Sequence, residues 1–321
     1  MIILLIAIRF RRGIHGRKTI VLAFAGKFKE IVKPYSNVPI INKSHLHHRL
    51  FRYIIVSIAK HRKGRTVMLR DFTAERFDII IQAGQSNADG TGFGPTADPW
   101  VPTEDVWYLN GDFTVTLATE AVNGNEIQSN FSLSFAREYM KKGLLAQGRK
   151  ILILRTSVGG TGFLDKRWGM TDDLYLRMMK MISTALALNE ENRLVAFLWH
   201  QGETDAIFGA DFDTHYNHLM GLLKSVRDGF HVPQLPFIAG DFVQHWKKDN
   251  WDISVPVVDA IEAVCRDCGS GAFVQTLDLC SNTQQDRNPP LPWEDTIHFS
   301  RDALYILGRR YFEAFTGLLN N

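Results

Sequence analysis

Cysteine is scarce in this chain, with three residues (Cys265, Cys268, Cys280) among 321. A small, odd number excludes a disulfide framework and points to a reducing compartment, so a cytoplasmic protein is expected. Long apolar runs are lacking too. None approaches the roughly 20 residues that span a bilayer. The opening run Met1–Ile8 is followed by its positive charge, the reverse of a secretory signal. No internal repeat or low-complexity segment occurs, which argues against repeat architectures. Acidic residues are nearly missing from one part of the chain. Residues 1–76 hold 17 Lys/Arg against three acids (Glu30, Asp71, Glu75), and the remainder holds 20 against 31.

That asymmetry separates a basic extension, 1–75, from a domain at 76–321. In the extension, LFRYIIVSIAKHRKGR (50–65) mixes aliphatic and basic residues with some helical periodicity. Such a stretch can lie on an anionic membrane surface, pack on the main domain under its own solvated charges, or precede a true start at Met68. A cytoplasmic protein, peripheral to a membrane at most, fits all three. Stacking aromatics are few there and the main domain is acidic, so nucleic acid is not an expected partner. His45, His47 and His48 are read as solvated, without a metal.

What is present is an alternation of strand-like and helix-like segments. Strands are expected at 77–83, 150–157, 193–199, 235–241 and 273–279, and helices at 132–143, 172–189, 212–228, 254–268 and 301–318. Alternating elements of this kind imply a mainly parallel sheet with helices on both faces, a three-layer α/β/α sandwich. Right-handed crossovers then bring the strand carboxyl ends to one rim. Met178, Met179 and Met181 at helical spacing read as core. The loop-rich stretch 95–130, with Trp100 and Trp107, reads as part of the rim or as plain packing.

Four polar motifs fall on that rim. FDIII runs into Gly84-Gln85-Ser86-Asn87, KILILRT into Ser157-Val158-Gly159-Gly160-Thr161, and RLVAFLW into His200-Gln201-Gly202-Glu203-Thr204-Asp205. Asp295-Thr296-Ile297-His298 precedes the last helix, with Ser300 as its expected N-cap. Ser86 then reads as a nucleophile. A serine hydroxyl needs a base to take its proton, and His298 fits. Asp295, three residues before it, can fix the imidazole tautomer. Oxyanion donors are available from the Ser86 backbone, from Gly159 or Gly160, and from the Gln201 amide. Glu203 and Asp205 read as braces of the Gln201 loop, and Asn87 as a shaper of the nucleophile loop. Cys265 and Cys268 match a CxxC spacing but read as ordinary buried thiols.

In combination these blocks, with Trp168 and Gly308, resemble the SGNH/GDSL hydrolase superfamily, and more narrowly the sialate O-acetylesterase-like domain (carbohydrate esterase family 6). The resemblance covers 77–316. It implies a flavodoxin-like α/β/α fold and a metal- and cofactor-independent acetylesterase acting on an acetylated carbohydrate. It also implies Ser86, His298 and Asp295 as the triad, with Gly159 and Gln201 joining the Ser86 N–H in the oxyanion hole. One departure is Ala88, where the family often has Met. Two other readings remain: an acetyltransferase using the same triad, and a silent carbohydrate-binding module.

Overall fold

The computed structural model describes residues 9–12, 18–21, 71–286 and 290–320. The basic segment 50–65, read as a membrane-surface stretch or as packing on the main domain, lies outside the described residues, as do His45, His47 and His48. The chain divides into two units, Met1–His47 and His48–Asn321. In the first, strands β1 (Arg9–Arg12) and β2 (Lys18–Val21) pair antiparallel.

The second unit is built on β3 (Arg76–Gly84), whose residues are nearly all buried. Period-two alternation sends Phe77, Ile79, Ile81 and Ala83 to one face and Ile80, with the polar Asp78 and Gln82, to the other. A parallel strand covered on both faces has this pattern. Beside β3 lie β9 (Arg149–Arg155) and β10 (Arg193–His200), both parallel to it. Outside β10 come β11 (Phe237–Gly240) and β12 (Gly271–Val274). Outside β9 come β5 (Val106–Leu109) and, antiparallel at the edge, β6 (Val115–Leu117). The order is thus β12-β11-β10-β3-β9-β5-β6. A second small sheet joins β4 (Gly92–Phe93), β7 (Ala121–Asn123) and β8 (Glu126–Ser129) in the order β4-β8-β7.

Helices cover both faces. On one lie α3 (Asp173–Leu188), α5 (Phe212–Gly229) and α7 (Trp251–Asp267), which follows the short α6 (Gln244–Asp249), packing Met178, Ile182, Leu222 and Ile261 against Phe77, Ile79 and Ile81. On the other lie α2 (Phe131–Lys141) and α8 (Arg301–Leu319), packing Phe135, Leu304 and Phe315 against Ile80, Ile151 and Leu198. Each such side chain contributes roughly 1.5–3 kcal/mol on burial. Side-chain caps set three helix starts. Asn130 accepts from Ser132 N, Asp211 from Thr214 N and Ser300 from Ala303 N. The expected α/β/α sandwich is present.

The stretch 95–130 departs from the loop expectation, since it supplies β5 to β8. Trp100 and Trp107 are buried as packing, and the Trp100 indole donates to Ala118 O at 2.8 Å. The stretch is tied to α8 by Arg301, which holds Glu120 with two bonds of 2.8 and 2.7 Å. At the amino end of β3 the buried Asp78 accepts from Arg149, Arg193 and Tyr139 at 2.7–2.8 Å. Burial pushes its carboxyl up, but these donors outweigh burial and hold it below its usual range.

Candidate active site

The site lies at the carboxyl end of β3, flanked by the loops that leave β9 and β10. Gly84 makes the turn possible. Its φ is +130°, and a Cβ there would sit 2.0 Å from the His200 carbonyl oxygen. Only glycine allows the two strands to approach this closely. Two residues on, after Gln85, Ser86 opens the one-turn helix α1 (Ser86–Asp89).

Ser86 Oγ lies 2.9 Å from His298 Nε2, and His298 Nδ1 lies 2.8 Å from Asp295 Oδ1. Asp295 Oδ2 accepts from Asn282 Nδ2 at 2.8 Å. Burial pushes Asp295 up, yet the bonds from His298 and Asn282 outweigh it and leave the carboxyl below its usual range. An ionised carboxylate against Nδ1 fixes the tautomer that leaves Nε2 free to accept a proton from Ser86.

Asn87 holds the histidine loop on both sides of His298. Its Nδ2 donates to the Ile297 carbonyl at 3.0 Å, and its Oδ1 accepts from Phe299 N at 3.0 Å. Nδ2 also donates to Glu203 Oε1 at 2.8 Å. Glu203, on α4 (Glu203–Ile207), is fully buried; burial pushes its carboxyl up, and its Oε2 has no hydrogen-bond partner among the described residues. Asp205, also on α4, accepts from Phe163 N and Leu164 N, each at 2.8 Å, and so ties the Gly159–Gly160 loop to the Gln201 loop. Burial pushes Asp205 up, but the nearby His215 ring, 3.4 Å away, and the Phe163 and Leu164 amides hold it low.

Beyond the Ser86 N–H, the expected oxyanion contributors Gly159, Gly160 and Gln201 are not placed alike. A Cβ on Gly159 would lie 3.5 Å from Ser86 Cβ, so this glycine sits directly against the serine. Gly160 has φ +66° and open space around it, which fits a turn residue. Gln201 Nε2 donates to Asp205 Oδ2 at 2.9 Å and makes a long contact of 3.5 Å to Gln85 Oε1.

Asn282 was not singled out by the sequence. Besides Asp295 it binds Thr91 O through Nδ2, accepts from Phe93 N at 3.2 Å, and donates its backbone N–H to His298 O at 2.8 Å. It lies in a loop with no motif and no periodicity, so nothing in the local sequence marks it. His200, beside Gln201, is buried and donates from Nδ1 to Tyr311 Oη, which itself donates to Trp199 O at 2.9 Å. Burial pulls His200 down to about 3.

Cys265 is buried, Cys268 half-buried and Cys280 exposed; all three are free thiols. Among the described residues, no group of three His, Cys, Asp or Glu side chains is placed to hold a metal ion. No helix among them is long and apolar enough to cross a membrane.

A family model described as carbohydrate esterase, sialic acid-specific acetylesterase, matches residues 76–317. The chain is similar to a probable carbohydrate esterase of Arabidopsis thaliana, 28% identical over 50% of this chain and 66% of that protein. It is also similar to a probable 9-O-acetyl-N-acetylneuraminic acid deacetylase of Escherichia coli (strain K12), 28% identical over 26% of this chain and 28% of that protein. The matches thus span less than two thirds of these relatives. Among solved structures, NanS shares the fold at a TM-score of 0.65 and 19% identity, covering 77% of this chain and 98% of its own.

Proposed function

This chain belongs to the sialic acid-specific acetylesterase family of carbohydrate esterases, and from that premise we propose that it removes acetyl groups from a carbohydrate by serine catalysis. The observation that carries the reading is the unbroken chain of hydrogen bonds Ser86–His298–Asp295, at 2.9 and 2.8 Å. In this reading His298 Nε2 takes the Ser86 proton as Oγ attacks the acetyl carbonyl. The tetrahedral oxyanion is met by the backbone N–H groups of Ser86 and Gly159. Gln201 supplies a third donor by exchanging its long contact to Gln85 for the oxyanion, and keeps its bond to Asp205. As the intermediate collapses, the protonated His298 returns its proton to the departing sugar oxygen. An acetyl-Ser86 ester remains. Water, deprotonated by the same nitrogen, then attacks the acetyl carbon. Acetate leaves and Ser86 regains its proton. Asp295 stays ionised throughout and stabilises the imidazolium.

The acetylated sugar is the proposed substrate class, in line with the printed names of the family and of the bacterial relative. Turnover of p-nitrophenyl acetate by wild type and by Ser86→Ala tests the nucleophile. The variant is expected to lose at least about 10³-fold in kcat. Equal rates in the two proteins would remove Ser86 from the mechanism.

A further inference from the structure

His215 lies near the start of α5, outside every motif of the site, and its side chain is fully buried. Its Nδ1 is 3.4 Å from Asp205 Oδ2. Its ring meets Phe163 edge to face at 5.5 Å, and Phe163 is itself stacked on Trp199 at 5.9 Å. Neither ring nitrogen makes a hydrogen bond among the described residues. Burying two polar atoms in this way is costly, and a phenylalanine would fill the space without that cost. The position calls for a reason other than packing.

Asp205 supplies one. Its Oδ1 accepts from Phe163 N and Leu164 N, and a Cβ on Gly162 would come within 2.5 Å of that oxygen. This side of the carboxylate is filled. Oδ2 takes Gln201 Nε2 at 2.9 Å and faces the His215 ring. An ionised carboxylate only accepts, so Gln201 must turn its nitrogen towards it. By the same rule His215 Nδ1 carries a proton, because a lone pair aimed at Oδ2 would be repelled. Little else fixes the sense of the Gln201 amide. Its Oε1 makes no hydrogen bond among the described residues, and the contact from Nε2 to Gln85 Oε1 is long, at 3.5 Å.

We propose that His215 is a positioning residue for the oxyanion hole, holding the Asp205 carboxylate so that the Gln201 amide keeps its nitrogen towards the reacting ester. The inference rests on the serine esterase reading and adds to it a residue that no motif carries. Gln201 Nε2 has two protons. One stays on Asp205 Oδ2, and the other goes to the developing oxyanion. The Nδ1–H of His215 keeps Oδ2 matched while Gln201 shares its donation. With an apolar ring in that place, the carboxylate turns or takes up a proton, and the amide is free to flip. A flipped amide presents Oε1, an acceptor, to a negative oxygen. His215 acts through Asp205, so its removal lowers turnover and leaves substrate binding as it was.

The test is steady-state turnover of p-nitrophenyl acetate by His215→Phe and His215→Asn, each made in the wild type and in Gln201→Ala. Phenylalanine keeps the ring that packs on Phe163, and the asparagine Nδ2 stands where Nδ1 stood. His215→Phe is expected to lower kcat about 10- to 100-fold with KM changed less than about twofold, as for a contact felt only in the transition state. His215→Asn is expected to recover to within about fivefold of wild type. In Gln201→Ala the step from His215 to Phe is expected to cost less than about twofold, because the two residues act in series. Melting temperatures report folding, and His215→Leu takes the place of the phenylalanine variant if that does not fold. An unchanged kcat in a folded variant, an asparagine variant as slow as the phenylalanine one, or an equal loss with and without Gln201 overturns the proposal. The amide nitrogen resonance of Gln201, assigned by its loss in Gln201→Ala, gives a readout without turnover. It is expected to move in His215→Phe and to stay near its wild-type place in His215→Asn; a signal unmoved by phenylalanine also overturns the proposal. A protein that shows the expected shifts but does not cleave the acetate, or cleaves it equally well as Ser86→Ala, retains the positioning contact and loses the serine esterase reading.

Discussion

Asn87 touches neither Ser86 Oγ nor the His298 ring, yet it bonds the backbone on both sides of that histidine. Its role is positional, and its removal should affect turnover more than binding. Asn87→Ala is expected to lower kcat for p-nitrophenyl acetate by about 10²-fold with a smaller change in KM, because small misplacements of a catalytic group are costly. It should also lower the melting temperature, since Glu203 Oε1 loses its donor inside the core. Unchanged kcat in a folded variant would show that the loop holds its geometry without the amide. Asp295→Asn removes the charge opposite Nδ1 and leaves the shape. Steady-state kinetics should show a loss of about 10³–10⁴ in kcat. A loss below tenfold would mean that the carboxylate is dispensable.

Among the elements, α8 approaches the start of α2 closely. A Cβ on Gly308 would lie 2.0 Å from both the Phe131 carbonyl oxygen and Ser134 Oγ. Gly308→Ala is therefore expected to cost about 1–3 kcal/mol, read as a lower urea midpoint. A wild-type midpoint would show that the two helices can separate at little expense. Five of the six parallel strands (β3, β9, β10, β11 and β12) and the five long helices were legible in the sequence, because each buries a continuous apolar run or a helical stripe. The elements β4 to β8 were not. They run two to four residues each, among prolines and acids, and α8 anchors them through Arg301 and Glu120, 181 residues apart. Strand order was equally hidden, since nothing local places β9 between β3 and β5. The residues Ser86, His298 and Asp295 stood out because motif and rim position agreed. Asn282 and the partner chosen by the Gln201 amide depend on tertiary contacts with no local mark.

For the molecule as a whole, acid is the expected weakness. His200 has a folded value of about 3 against an ordinary 6.5. The unfolded chain therefore takes up this proton first. The stability is complete above about pH 6.5 and drains away as pH falls towards 3, on the order of 4 kcal/mol over the window. Asp78, held low in the fold, adds a loss below its ordinary 3.8. Glu203 acts in the opposite sense, because a raised carboxyl destabilises as pH climbs above 4.5. Denaturant melts between pH 3 and 8 should show a steep acid limb, and His200→Gln should flatten it between 3 and 6.5. An equally steep limb in that variant would place the acid sensitivity elsewhere.

The hydrogen bond between Ser86 and His298 joins residues 212 apart in the chain. The histidine loop is anchored at the cap of α8, whose Tyr311 in turn bonds the end of β10. During translation the proposed nucleophile emerges early, and all seven strands of the main sheet precede its proposed base in the chain. Ser86 is then an ordinary hydroxyl on an exposed rim. On the proposed mechanism, nascent polypeptide would not cleave an ester until the ribosome has released the segment that becomes α8 and that helix has docked. On that mechanism hydrolytic competence arrives in one late event, and a polypeptide cut anywhere before residue 298 would carry the serine without its proposed base.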